Sequence, residues 1–250
     1  MRRRSGSGEG TDGGDGAQEA GRTAGKRDEH ELCIPSDGTE RMAKGDAEIK
    51  ASEGGKSGGA GLLKKIKTQY AKIVAQNPGQ NVRLMFQDEA GFGRINKPKS
   101  CWCGKGKRPS VPCHHIREYR YVYGAVEPKN GDSFFLVLPY CNTDCMNVFL
   151  SELAKAYPDD QILLVCDGAM WHKANELKIP KHITLIFIPP YTPEMNPIEQ
   201  IWKEIRKRGF RNEVFHTLDK VIDRLCDVIK NLPASVIQSI TGRQWILSMF

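Results

Sequence analysis

Apolar positions along the chain change their period several times, and each change marks an element. Leu62, Leu63, Ile66, Tyr70, Ile73 and Val74 recur at helical spacing with lysines between them, and Asn77-Pro78-Gly79 stops the run. The next residues alternate, with Leu84, Phe86 and Asp88 on one side and Met85, Gln87 and Glu89 on the other, which predicts a strand over Val82–Glu89. Alternation also means that Asp88 and Glu89 cannot both point into one site, and Asp88 is the one assigned to it. Tyr119, Tyr121 and Tyr123 alternate in a second strand and read as sheet packing rather than a base-stacking platform. A tight turn at Lys129-Asn130-Gly131-Asp132 then leads into a third strand, Ser133 to Pro139. Asn142 or Thr143 is placed to cap a helix through Met146, Phe149, Leu150 and Leu153 that closes at Pro158.

Two short apolar runs follow, QILLVC (Gln161 to Cys166) and ITLIFI (Ile183 to Ile188), which read as strands buried on both faces, with a short helix near Ala174 to Leu177 between them. After Pro189-Pro190, the positions Ile198, Ile201, Trp202 and Ile205 predict a helix with a buried stripe; Trp202 belongs to the core on this reading. Further helices are predicted from Leu218 to Leu232 and across Ala234 to Ile246. Three antiparallel strands, a helix, and then strands alternating with helices predict an α/β fold: a mixed five-stranded sheet covered on both faces.

Residues 1–61 interrupt this logic. They hold 15 of the 25 glycines, few aliphatic residues and no aromatic one, so they cannot bury enough apolar surface to offset the entropy of ordering. This segment is expected to be disordered, with one folded domain over 62–250. Of the 37 Lys/Arg, 10 lie in residues 1–61, and of the 30 Asp/Glu, 12 do; the rest of the chain therefore carries 27 against 18, a net +9 that attracts polyanions. The eight cysteines follow no secretory signal and are expected to be reduced thiols. The longest apolar runs are too short to cross a bilayer, so no membrane association is expected, and a cytoplasmic location is.

Candidate chemistry lies where the apolar runs end. The strand beginning at Val82 reaches Asp88, the run Gln161 to Cys166 stops at Asp167-Gly168, and Glu199 falls in the first turn of the helix after Pro189-Pro190. Glu199 has two readings. With Asn196 as cap and Pro197 in the first helical position, it completes a capping box and pairs with Lys203. Alternatively it joins Asp88 and Asp167, because ligand sites in open α/β sheets lie beyond strand ends. Three converging carboxylates repel one another unless a divalent cation neutralises them, so convergence implies metal.

Between Arg94 and His115 the chain carries Lys97, Lys99, Lys105, Lys107 and Arg108 beside Trp102, either as solvated lysines or as a clamp on phosphates. Cys101, Cys103, Cys113, His114 and His115 lie in the same loop, but their spacing is a poor match to a structural zinc site. Lys203, Arg206, Lys207, Arg208 and Arg211 form a basic ridge after Glu199, either solvated charges complementing the helix end or a surface for a phosphate backbone.

The motifs QDEAGF (Gln87 to Phe92), CDGAMWHK (Cys166 to Lys173) and PPYTPEMNPIEQIWKEIRKR (Pro189 to Arg208), in this order, resemble the catalytic domain of bacterial insertion-sequence transposases of the mariner-like superfamily. The resemblance runs from about Leu62 to the C-terminus, with 32 positions from Asp167 to Glu199. It implies a ribonuclease-H-like fold and an acidic triad of Asp88, Asp167 and Glu199 holding two Mg²⁺ or Mn²⁺ ions. The implied reaction is phosphodiester cleavage at element ends followed by strand transfer into target DNA, with a homodimer assembled on DNA at the nucleoid. DNA contacts are implied for His172 and Lys173 in addition to the basic residues already named; for His172 the alternative is a local structural hydrogen bonder. The family carries helix-turn-helix readers ahead of this domain, whereas here residues 1–61 are glycine-rich, which puts end recognition by this polypeptide in doubt. The competing readings are a stand-alone nuclease or integrase of the same fold, and a non-catalytic DNA-binding remnant.

Overall fold

The computed structural model describes residues 32–33, 56–95, 98–105, 110–190 and 192–250. Strand β1 is Leu32–Cys33 and helix α1 is Lys56–Gln76; β2 (Val82–Gly93), β3 (Tyr119–Val126) and β4 (Ser133–Leu138) form the antiparallel meander. Then come α2 (Thr143–Ala156), β5 (Gln161–Cys166), β6 (Ile183–Phe187), α3 (Ile198–Gly209), α4 (Leu218–Lys230), α5 (Ala234–Thr241) and α6 (Gln244–Leu247). The sheet order is β1-β4-β3-β2-β5-β6. Strands β2 to β6 are the mixed five-stranded sheet read from the sequence, and β1 adds two residues at its edge, opposite Leu136 and Phe135. Apart from Leu32–Cys33 and the start of α1, the segment 1–61 lies outside the described residues.

Period two sorts the strands between two cores. Leu84, Phe86, Leu163 and Val165 face a core shared with Ile66 of α1, Ile201 and Trp202 of α3, Leu225 of α4 and Ile237 of α5. Met85, Ile162 and Leu164 face the opposite core, built with Met146, Phe149 and Leu150 of α2. Because both faces are covered, β5 reads as an unbroken apolar run. Helix α2 starts where expected, with the Cys145 amide donating to Asn142 Oδ1 at 2.9 Å. The turn between β3 and β4 needs Gly131: its φ is +83°, and a Cβ there would stand 2.0 Å from the Ala234 carbonyl oxygen.

Four boundaries differ from the sequence reading. Strand β2 continues past Glu89 to Gly93, because antiparallel pairing with β3 carries on to Gly93 opposite Tyr119. Between β5 and β6 there is a 3₁₀ turn at Met170–His172 in place of a helix at 174–177. The last predicted helix is two, α5 and α6, separated at Gly242 and Arg243. Helix α1 begins at Lys56, ahead of Leu62.

The extension of β2 positions the site. Parallel pairing of β2 with β5 ends at Phe86 opposite Val165, while pairing with β3 continues. Continuing the register brings Asp88 level with Asp167, on neighbouring strands that lie about 4.8 Å apart where paired. This point, beyond the carboxyl end of β5 where its pairing with β2 stops, is the crevice position at which open α/β sheets bind ligands.

Candidate active site

Asp88 is close enough to Asp167 to feel its charge. Asp88 is largely removed from water and is pushed up to about 7, first by burial and then by the charges of Glu89 and Asp167; the Trp202 hydrogen bond acts against the rise. That bond runs from the indole Nε1–H to Asp88 Oδ2 at 2.8 Å. Trp202 is 4% exposed and packs edge-on against Phe135, with ring centroids 5.9 Å apart. Gly124 makes room for it: a Cβ there would meet Trp202 Cη2 at 2.6 Å. The core assignment of Trp202 therefore holds, and its N–H adds a function that apolar periodicity does not show.

Asp167 sits in a different environment. Its Oδ1 accepts from the Ala169 amide at 3.0 Å and from His172 Nδ1 at 2.8 Å. Oδ2 has no partner among the described residues, and the side chain is 51% exposed. The His172 hydrogen bond holds its pKa below the ordinary carboxylate value. His172 Nε2 lies 2.9 Å from Glu89 Oε1. Burial disfavours the charged ring, but the hydrogen bonds to Asp167 and Glu89 prevail, and its pKa is pushed up to about 10. The DNA contact expected of His172 is corrected here: the residue is 1% exposed, shut between two carboxylates.

Glu199 enters from the first turn of α3, three residues before Trp202 and so on a neighbouring part of the helix face. The expected side-chain cap is absent. Asn196 instead donates from Nδ2 to the Gln87 carbonyl at 2.9 Å, pinning the start of α3 to β2 beside Asp88. The Glu199 carboxylate has no hydrogen bond among the described residues, so the capping box is not formed. Its pKa is raised by burial, against the charge of Lys203, with Glu194 adding to the rise and Arg243 opposing it. The structure thus pairs Asp88 with Asp167 and sets Glu199 at the helix start. Among the described residues, no three His, Cys, Asp or Glu side chains are drawn into one metal-holding group, either here or in the cysteine-bearing loop. Each of the three acids has its own surroundings, and carboxylates repel at short range.

Basic residues flank this crevice. Lys173 is exposed, with Nζ 5.3 Å from the Phe187 ring centroid, and its charge helps to hold Asp167 ionised. Lys203 is exposed, while Arg206 donates to the Gly91 carbonyl at 3.2 Å and lies over the Phe92 ring. Lys207 and Arg208 both pair with Glu204, at 3.4 and 2.8 Å. Lys99 and Lys105 are exposed on the β2–β3 loop. That loop is tied to the α3–α4 connection by Lys99 N to Asn212 Oδ1 at 2.8 Å, Asn212 Nδ2 to Lys99 O at 3.0 Å and Arg211 to the Ser100 carbonyl. Contacts between residues 111 to 113 positions apart in sequence thus bring two basic segments side by side. Lys97, Lys107 and Arg108 lie outside the described residues.

Glu89 is the residue that sequence reasoning set aside. Strand parity excludes it from the face of Asp88, and the structure keeps it there, hydrogen-bonded to Gln87 Nε2 at 3.0 Å and to His172. The available signal was the five-residue spacing of Asp167 and His172, which places an imidazole within reach of whatever flanks the strand end.

Comparison with known proteins agrees with this architecture. Residues 83–222 match the DDE superfamily endonuclease family. An uncharacterized protein, y4pE/y4sA of Sinorhizobium fredii (strain NBRC 101917 / NGR234), is 37% identical over 130 residues, covering 51% of this chain and 96% of its own length. The transposable element Tc3 transposase of Caenorhabditis elegans is 26% identical over 190 residues, covering 70% of this chain and 57% of its own. Among solved structures, the Mos1 transposase paired-end complex with left transposon end superposes with a TM-score of 0.56 at 12% identity, over 84% of this chain and 66% of that one. The catalytic domain of Mos1 mariner transposase gives 0.52 at 10% identity, over 81% of this chain and 96% of that one. The Mos1 likeness shows a shared ribonuclease-H-like fold, and the chain spans little more than half the length of the Tc3 relative. With the family match covering more than half of its residues, this chain belongs to the DDE superfamily endonucleases.

Proposed function

We propose that this chain is the catalytic domain of a DNA transposase, which cuts phosphodiester bonds at the ends of a mobile element and joins the freed 3′-hydroxyl to target DNA. The observation that carries the reading is the clamp on β2. Asp88 and Asp167 lie two positions beyond the last parallel pair of β2 and β5, Phe86–Val165, and the helix bearing Glu199 is fastened to β2 by Trp202–Asp88 and Asn196–Gln87. The donors are all carboxylate oxygens, a set suited to Mg²⁺ or Mn²⁺, and Mos1 paired-end complexes are known with each of these ions. Asp88, Asp167 and Glu199 are the residues that would hold a pair of such ions, which supply activation of the attacking oxygen and neutralisation of charge on the leaving one.

The protein's own contribution is placement. Trp202 fixes one oxygen of Asp88, His172 fixes one oxygen of Asp167, and the strand register sets their separation. The surface built from Lys99, Lys105, Lys203, Arg206 and Arg211, with Lys173 near Asp167, suits a DNA backbone passing the crevice. A homodimer holding two element ends and a location at the nucleoid complete the reading.

The test is Mg²⁺-dependent nicking and joining of DNA that carries the flanking element ends, comparing the full chain with Asp167→Asn. Loss of both steps in the variant is expected. Equal activity in the two proteins overturns the assignment.

A further inference from the structure

Neighbouring residues on a strand point to opposite faces, so only one acid of the Asp88-Glu89 pair is available to line the crevice directly. The structure gives the second acid a route as well. Glu89, with its side chain only 5% exposed, is within 2.9 Å of His172 Nε2; the ring, with its side chain fully buried, is within 2.8 Å of Asp167 Oδ1. Carboxylate oxygens only accept, so the imidazole donates from both nitrogens and joins the two acids into one line. The strand that supplies Asp88 thereby also orients the acid on its neighbour.

Asp167 needs such a hold. It follows the last residue of β5 and is half-exposed, so without a partner its carboxylate is free to turn among rotamers. The Ala169 amide and His172 both engage Oδ1, leaving Oδ2 as the one oxygen still open to a ligand. His172 is itself fixed: its Nδ1 also lies 3.1 Å from the Asp167 carbonyl, and its ring packs edge-on against Trp171. Glu89 is braced by Gln87 Nε2 at 3.0 Å. No member of the line is held by solvent alone.

Resting on the functional reading above, we propose that Glu89 is a positioning residue that acts through His172 to hold Asp167 with Oδ1 committed and Oδ2 left for a divalent cation. Groups one step behind a metal ligand commonly change metal affinity by about 10–100-fold when removed. The experiment titrates Mn²⁺ alone into the full-length chain and follows the free-ion electron paramagnetic resonance signal, with a thermal melt of each protein as a check on folding. Glu89→Gln keeps the shape and folds in the same way, and about tenfold weaker Mn²⁺ binding is expected; Glu89→Ala, which deletes the acceptor, is expected to bind about 100-fold more weakly. A purely structural role shifts the melting temperature and leaves the Mn²⁺ affinity of the folded protein alone. Mn²⁺ affinity of Glu89→Gln within twofold of the unaltered chain overturns the proposal and leaves the functional reading standing. Failure of the unaltered chain to bind Mn²⁺ overturns both.

Discussion

Replacing Asp88 by Asn is expected to stabilise the metal-free protein at alkaline pH, although it removes a proposed catalytic acid. Burial and the neighbouring acids raise the Asp88 carboxyl from 3.8 to about 7, so the folded state holds a proton that the unfolded state has already released. The contribution of this group is fully present below about pH 4 and is lost as pH rises through about 7, where the folded protein must ionise a buried acid. At about 1.4 kcal/mol per unit, the shift amounts to a penalty of about 4 kcal/mol at pH 8. Asn keeps the shape, stays neutral and still accepts the Trp202 N–H through Oδ1.

Thermal melts of the two full-length proteins in EDTA, followed by circular dichroism from pH 4 to pH 8, test this. The variant is expected to melt about 8–16 °C higher at pH 8, taking about 2–4 °C per kcal/mol for a domain of this size, and to converge with the unaltered protein near pH 4. Adding Mg²⁺ should narrow the gap, because a cation bound at Asp88 favours the ionised form. A difference in melting temperature that does not change with pH, or an Asn variant that is less stable at pH 8, refutes the electrostatic account of this site.

Three further outcomes are expected. Trp202→Phe keeps the aromatic packing but deletes the donor to Asp88; it should cost about 1–2 kcal/mol in denaturant unfolding and lower nicking activity disproportionately. Arg83 bridges Glu127, Asp132 and Asp160, so Arg83→Gln leaves these acids uncompensated; chemical denaturation should show a loss of about 3–5 kcal/mol at pH 7.5 and a smaller one at pH 4, where the carboxyls accept protons. Gly124→Ala puts a methyl 2.6 Å from Trp202 Cη2 and 2.8 Å from the Phe135 ring, so unfolding should be easier by about 1–3 kcal/mol and nicking should fall as the indole moves from Asp88.

Much of this architecture is legible in local pattern. Period-two alternation locates β2 and β3, continuous apolar runs find β5 and β6, of which β5 is buried on both faces while β6, at the sheet edge, is only partly buried, and helical stripes find α1 to α4. The same patterns place Asp167 just past the end of β5, Asp88 just past the stretch of β2 that pairs with β5, and Glu199 in the first turn of a helix. Where local rules fail, a distant partner has taken over. Asn196 gives up its capping role because the Gln87 carbonyl is in reach, and β2 outruns its expected end because β3 continues beside it.

The sequence by itself therefore determined the α/β sheet, its two cores, the family resemblance and the identity of the acids, all of which depend on residue type at short spacing. Only the tertiary structure decided what each acid touches: Trp202 on Asp88, His172 on Asp167, and Glu89 reaching the site from the opposite face of its own strand. The physical reason is separation along the chain. These pairs lie 114, 5 and 83 residues apart, and for the longer two no local periodicity encodes the contact. The contacts exist because strand register and helix docking bring the groups to one crevice, where burial then sets their charge.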